Sequence, residues 1–367
     1  MKTEAAVLWR PGEPVEIREV ELAPPREGEV LVEIAACGVC HSDLHVIEGD
    51  LPEPLPLVLG HEASGRVEEA GPGVESLEPG DHVVLALVPA CGTCAECVRG
   101  RPNFCQVGAR MAATGTLADG TSRLSLNGTT LHHFNSVSSF ARHAVVPESV
   151  AVKIRDDVAL DTVALVGCAV LTGCGAVLNT AEVEEGASVA VWGCGGVGLN
   201  VVQGARLAGA AQIVAIDTRR DKLELARTLG ATDAVEAAPE VDVVAVVRGL
   251  TGGGPDYAFE AIGTEPTIQQ AWEAAGPRGT VVVVGVLPKG KTLTIDPWQF
   301  FSEKTLRGSF LGSARVRDDI PRLVDLYAAG DLRLDELVDR RIPLSELPEA
   351  FERLRAGDGL RQLVVFD

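Results

Sequence analysis

Unbroken runs of apolar side chains are short in this chain of 367 residues. The stretch Thr280-Val281-Val282-Val283-Val284-Gly285-Val286-Leu287 is an example. It falls far below the roughly 20 apolar residues that a membrane-spanning helix needs, so no membrane partner is expected. Residues 1–9 lack the extended apolar core of a secretory signal, and Arg10-Pro11-Gly12 interrupts them. A cytoplasmic location is therefore expected. Basic residues are also scarce, 32 Lys and Arg against 52 Asp and Glu, a formal net charge of −20. That balance argues against nucleic acid as a partner and favours solubility. Aromatics make up only 4% of the chain, so its core is packed with aliphatic side chains. There is no internal repeat and no low-complexity segment. Cysteine, by contrast, is abundant. Nine of them, an odd number in a cytosolic setting, point to metal binding rather than to a disulfide framework. The length suggests two domains.

The most informative stretch begins with the apolar, β-branched run Ser188-Val189-Ala190-Val191-Trp192. Gly193-Cys194-Gly195-Gly196-Val197-Gly198 follows at once, then Val201, Val202, Ala205 and Ala208 at helical spacing, then Gln212-Ile213-Val214-Ala215-Ile216 and Asp217. Strand, glycine turn, helix, strand and acid stand in the order a dinucleotide site requires. Gly193 permits the tight turn, Gly195 lets the backbone approach a pyrophosphate, and Gly198 lets helix pack on strand. Gly196 and Val197 open the helix, whose N-terminal N–H groups and dipole suit the phosphates. Asp217 can accept hydrogen bonds from the adenosine ribose and would repel a 2′-phosphate, which favours NAD. Arg219 and Arg220 beside it could instead accommodate NADP.

Residues 1 to about 150 read as β-rich, with strands near 6–9, 29–34, 64–70 and 82–86 between Pro, Gly and acidic turns, a pattern that suggests a compact barrel. From about Asp161 helices and strands alternate, with strands near 189–192, 212–216, 257–261 and 280–286, the pattern of a parallel doubly wound sheet. A helix over 320–327 and a last strand over 362–366 close the chain, and that strand is expected to return to the first domain.

Cys91-x2-Cys94-x2-Cys97-x7-Cys105 lies in a loop with Gly92, Gly100 and Pro102, and can wrap a tetrahedral zinc as four thiolates. Such a closed sphere is structural. An iron–sulfur cluster is the rival occupant. A catalytic zinc of the Cys2His type keeps its fourth position open, and Cys40, His61 and Cys168 supply the right donors. Taken singly, each such residue is more often a core cysteine or a satisfied histidine. Cys37, Cys174 and Cys194 read as small core residues. His82, His132, His133 and His143 fall near turns and strand ends and carry no assigned chemistry.

Together the motifs Gly38-Val39-Cys40-His41-Ser42-Asp43, Gly60-His61-Glu62, the four-cysteine loop, Gly167-Cys168 and the glycine turn resemble the zinc-dependent medium-chain alcohol dehydrogenases over essentially the whole length. Asp119-Gly120-Thr121-Ser122-Arg123-Leu124 with His132-His133-Phe134 resembles the long form of that family, which includes the liver-type and thiol-dependent formaldehyde-oxidising enzymes. The resemblance implies an α/β chain with a GroES-like β-rich catalytic domain, residues 1–168 and 313–367, and a Rossmann domain, residues 169–312. It implies one catalytic and one structural zinc, with Cys40, His61 and Cys168 on the catalytic ion and Glu62 behind it. Asp43 would orient His61. Ser42 would take the alcohol proton and pass it through the nicotinamide ribose to His45 and solvent, while a hydride moves between alcohol and NAD. His41 and Arg361 resemble the family's pyrophosphate contacts, Asp217 and Lys222 its ribose contacts.

The expected activity is therefore oxidation of small alcohols to aldehydes or ketones. The expected assembly is a homodimer or homotetramer joined through edge strands near 281–287. Two alternatives stand beside it. One is a thiol-dependent formaldehyde dehydrogenase, although Arg110, Asp50 and Glu53 do not line up cleanly with that branch's adduct anchors. The other is a non-catalytic nucleotide sensor, which would not need Ser42 and His45 in addition to the metal donors.

Overall fold

The computed structural model describes residues 1–366 and divides into two compact units, Met1–Cys168 with the tail from Arg315, and Ala169–Ala314. In the first unit the strands Lys2–Leu8, Glu16–Leu22, Leu124–Leu126, Thr129–His133 and Leu57–Val58 close into a barrel. A seven-stranded sheet stands beside it. The strand Glu29–Gly38 lies within that sheet, paired with Ala63–Ala70, His143–Pro147 and Arg361–Val365. The end of the chain returns to this unit through the antiparallel partners Leu363 with Gly38 and Val364 with Cys37. Most of Glu29–Gly38 is buried, which suits a strand with neighbours along both edges. Phe140 and Phe351 meet edge to face at 5.9 Å in the core that also holds Ile34, Leu57, Leu59 and Val364.

The second unit is a six-stranded, all-parallel sheet in the order Asp233–Glu236, Gln212–Asp217, Ser188–Trp192, Tyr257–Glu260, Thr280–Val283, Thr305–Gly308. That order, 3-2-1-4-5-6, places the crevice between the first and fourth strands at their carboxyl ends, where doubly wound sheets bind nucleotides. Ser188–Trp192 sits at the centre, and Val189 to Trp192 are buried. Trp192 and Trp272 anchor its core with Ala190, Val214 and Ile216.

Two strands of this sheet are not apparent in the sequence pattern. Asp233–Glu236 and Thr305–Gly308 are four-residue edges, too short and too polar to stand out. The edge expectation is corrected with them. Thr280–Val283 is interior, paired on one side with Tyr257–Glu260 and on the other with Thr305–Gly308. The chain leaves the sheet before Gly285, where a Cβ would strike the backbone of Gly263. Among the described residues no single helix is long and apolar enough to cross a membrane.

Candidate functional site

The helix His41–Glu48 carries four of the residues singled out in the sequence, His41, Ser42, Asp43 and His45. Cys40 precedes it in extended conformation, Leu44, Val46 and Ile47 bury its inner side, and Gly49 ends it at φ 84°. Ser42 and His45, three residues apart, share one side of the helix. Ser42 Oγ lies 3.7 Å from Cys40 Sγ, and His45 Nδ1 lies 3.2 Å from Asp50 Oδ2 at the partly exposed end.

Sheet register assembles the donors. Cys37 pairs with Ala63, which sets Cys40 and His61 just beyond adjacent strand ends. Ala63 in turn pairs with Leu85, and the Leu85 carbonyl passes so close to Gly167 that a Cβ there would sit 2.5 Å from it. Only glycine lets the turn before Cys168 approach that closely. The result is a buried cluster in which one atom each of Cys40, His61 and Cys168 lie within 4.8 Å of one another.

His61 is held by Asp43, also fully buried. Asp43 Oδ2 is 3.2 Å from His61 Nδ1, and its Oδ1 accepts the Gly60 N–H at 3.0 Å. With Nδ1 facing Asp43, the ring's Nε2 is buried without a hydrogen-bond partner among the described residues. Two sulfurs and an orphaned imidazole nitrogen are a donor set that zinc fits. Electrostatics agree. A hydrogen bond from the Cys168 thiol and the charge of His61 hold Cys40 well below the usual thiol range, while Cys168 is pushed up by that same bond and by burial. Burial opposes charge on His61, but Asp43 and the Cys40 thiolate outweigh it and raise the imidazole to about 10. A divalent cation can replace the protons held on His61 and Cys168.

Glu62 lies outside this cluster. It is fully buried and closes on the Arg361 guanidinium, and a Cβ at Gly38 would run into its carboxylate. Arg361, which the resemblance gives to a pyrophosphate, is buried beside Glu62, with 4% of its surface exposed. His41 is exposed at the start of its helix.

The four cysteines of the loop also converge, all within 4.8 Å of one another. Cys91 and Cys97 sulfurs are 3.8 Å apart, and those of Cys94 and Cys105 are 4.0 Å apart. Zinc–sulfur bonds of about 2.3 Å at tetrahedral angles give sulfur separations of about 3.8 Å, so the loop has the dimensions of a zinc tetrahedron. Backbone N–H groups of Cys97 and Gln106 hold the Cys94 thiol down to about 6, the ionised form a metal takes.

In the second unit Gly193 has φ 90° and donates its N–H to Ile216 O at 2.8 Å. A Cβ at Gly198 would collide with the Gly193 carbonyl, whereas one at Gly195 meets no atom within 4 Å. The first glycine is demanded by packing and the second leaves an open cradle beside the start of the helix Gly196–Leu207, as a bound pyrophosphate needs. Gly195, Gly196 and Val197 are its solvent-accessible members. Asp217 Oδ2 accepts the Cys194 N–H at 2.7 Å and its Oδ1 the Arg219 N–H at 3.0 Å, which fixes the carboxylate beside the turn. Arg219 pairs with Asp221 at 2.8 Å and Arg220 with Glu236 at 2.5 Å. Lys222 lies in the first turn of the following helix, half-buried.

The chain thus carries two sulfur-rich clusters that could hold zinc and a glycine turn at the crevice of a doubly wound sheet. Comparison with known proteins names the family. Residues 26–156 match the alcohol dehydrogenase GroES-like domain, and residues 196–329 match the zinc-binding dehydrogenase domain. The chain is 39% identical to S-(hydroxymethyl)glutathione dehydrogenase of Paracoccus denitrificans over the full length of both. It superposes on benzyl alcohol dehydrogenase of Acinetobacter calcoaceticus with a TM-score of 0.95 at 35% identity, covering all of both chains. It superposes on a putative zinc-binding dehydrogenase of Sinorhizobium meliloti bound to NADP with a TM-score of 0.84 at 31% identity, again covering all of both. The chain belongs to the zinc-dependent medium-chain alcohol dehydrogenases. It is an enzyme, an oxidoreductase of small alcohols and aldehydes that uses zinc and a nicotinamide dinucleotide.

Proposed function

We propose that this chain oxidises small alcohols to aldehydes or ketones with NAD, and that Cys40, His61 and Cys168 hold the catalytic zinc. The observation that carries this is the buried His61, oriented by Asp43 and left with an orphaned Nε2 between two cysteines. When bound, zinc supplies a Lewis acid that acidifies an alcohol hydroxyl, and the dinucleotide supplies the hydride acceptor. The chain's own residues handle the proton. Ser42, next to Cys40, takes it from the substrate hydroxyl. His45, on the same side of the helix and braced by Asp50, releases it to solvent. Glu62 and Arg361 form a buried charge pair behind the donors. Cys91, Cys94, Cys97 and Cys105 hold a structural zinc. Asp217 selects NAD, since its carboxylate is fixed beside the turn and both neighbouring arginines are already paired with acids. His41 and Lys222 serve the dinucleotide's phosphates and ribose. A nucleotide sensor would have no use for this proton path.

A second reading, oxidation of a thiol adduct of formaldehyde, is favoured by the relationship to S-(hydroxymethyl)glutathione dehydrogenase and by one structural feature. Burial pushes the Glu53 carboxyl up to about 7, which suits a group that meets a polar adduct. Against it, Asp50 is already committed to His45, and Arg110 is exposed on the helix Gln106–Thr114. Rates with NAD, a panel of primary and secondary alcohols, and formaldehyde with and without glutathione decide between them. Alcohol turnover without thiol supports the first reading. Turnover only with formaldehyde and thiol together supports the second.

A cytoplasmic homodimer is the form we propose for the enzyme. The polar edge strand Thr305–Gly308 is flanked by exposed Trp298, Phe301 and Phe310, 74%, 80% and 47% accessible, an apolar margin that a second copy would cover.

A further inference from the structure

Glu260 is the last residue of the strand Tyr257–Glu260 and is fully buried. Its Oε1 accepts three hydrogen bonds: from the N–H of Ile262 at 3.0 Å, the N–H of Gly263 at 2.8 Å and the Thr267 hydroxyl at 2.7 Å. Its Oε2 is buried without a partner among the described residues. A buried carboxylate is costly unless its donors are well placed, and here all of them come from one short segment immediately downstream.

That segment abuts the dinucleotide turn. A Cβ at Gly193 would sit 2.5 Å from the Ile262 side chain. Gly263 has φ 91°, and a Cβ there would strike the Val286 carbonyl. The Glu260 carbonyl ties the other flank, accepting Val284 N–H at 2.8 Å and Gly285 N–H at 2.9 Å. Glu260 thus clamps two loops against the glycine turn at the carboxyl end of the sheet. The clamped loops present Ile262 and Val286, 48% and 46% exposed, as apolar surface beside that turn.

We propose that Glu260 is a positioning residue for the dinucleotide, fixing the Ile262–Gly263 segment as one wall of its site. The inference rests on the glycine turn being the dinucleotide site. Without the carboxylate, Ile262 and Gly263 lose their acceptor and the wall is free to move, so part of the binding energy goes into ordering it.

Glu260→Ala, Glu260→Gln and Thr267→Val test this, with NAD affinity read by calorimetry on zinc-loaded enzyme. Glu260→Ala is expected to raise the Kd of NAD by about tenfold or more, since it removes three hydrogen bonds to a charged acceptor. The KM for NAD should rise in parallel, while the KM for alcohol and the zinc content stay near wild type. Glu260→Gln keeps an oxygen at the Oε1 position and should recover most of the affinity. A folded Glu260→Ala enzyme that binds NAD as tightly as wild type overturns the proposal, as does a Gln variant no better than Ala. If the Ala variant does not fold, Thr267→Val reads the same clamp: weakened NAD binding supports it and wild-type affinity overturns it. Failure of the wild-type enzyme to bind NAD at all would instead remove the dinucleotide reading beneath it.

Discussion

Asp43→Asn separates the charge behind His61 from the shape of the site. Asparagine is nearly isosteric, and its carbonyl can still accept the Gly60 N–H that Oδ1 takes at 3.0 Å. Its amide then faces His61 Nδ1, where Oδ2 stands at 3.2 Å. An amide N–H opposite an Nδ1–H leaves two donors in contact, so the ring either shifts to the tautomer with the proton on Nε2, unfit for a metal, or rotates. Loss of such an orienting partner costs about 10–100-fold in metal affinity, about 1.4–2.8 kcal/mol. The pH dependence moves with it. In the metal-free site burial disfavours the imidazolium, but Asp43 and Cys40 raise His61 to about 10, so zinc must displace that proton and binds more tightly as pH rises. Removing the Asp43 charge makes this slope shallower above neutrality. Competition with a chromogenic chelator across pH measures both effects, and the four-cysteine zinc serves as an internal reference. Unchanged affinity at the three-donor site would refute the role given to Asp43. Equal loss from both sites would show a general loss of structure instead.

Ser42→Ala should lower kcat within or above the about 10²–10⁴-fold typical of acid–base groups, and His45→Gln near or below the lower end. Small buffer bases should partly rescue only the histidine variant, measured as kcat against buffer concentration. Asp217→Gly frees the Arg219 N–H and removes the charge beside the turn, so NADP use should rise and NAD use fall. A wild-type enzyme that already prefers NADP would contradict this. His133 is pushed down to about 3 by burial and by the charge of Arg123, against 6.5 for an unperturbed histidine. Its folded pKa is depressed, so the unfolded chain takes up a proton first. The stability it contributes is complete above pH 6.5 and is lost progressively as pH falls towards about 3. Denaturant titrations should therefore show a flatter acid limb in His133→Asn than in wild type.

Local features were the most legible in the sequence. The four-cysteine loop lies within residues 91–105, so its spacing alone describes the tetrahedron that the structure forms. Gly193, Gly198 and Asp217 likewise belong to one strand–turn–helix–strand unit, in which Gly193 is required by its own φ of 90° and Gly198 by the nearby Gly193 carbonyl. Cys40, His61 and Cys168 were different, because what brings them together is the cross-strand register of Cys37 with Ala63 and Ala63 with Leu85. No spacing rule contains that register, and family resemblance supplied it. The sheet edge is not legible in the sequence, because an apolar valine run looks the same in an interior strand as at an interface, while the true edge carries the sequence Thr305-Leu306-Arg307-Gly308. Glu260 left only a faint signal, an acid at the end of a buried strand. Its importance appears once its three donors are seen on one oxygen.

The most direct test of the zinc-dehydrogenase account is the zinc content of Cys168→Ser, measured together with its alcohol-dependent reduction of NAD. The account predicts two zinc ions per chain in wild type and about one in the variant, since the four-cysteine site survives and the other loses a thiolate. NAD should still bind, and alcohol turnover should be abolished. Two retained zinc ions with wild-type turnover would contradict it.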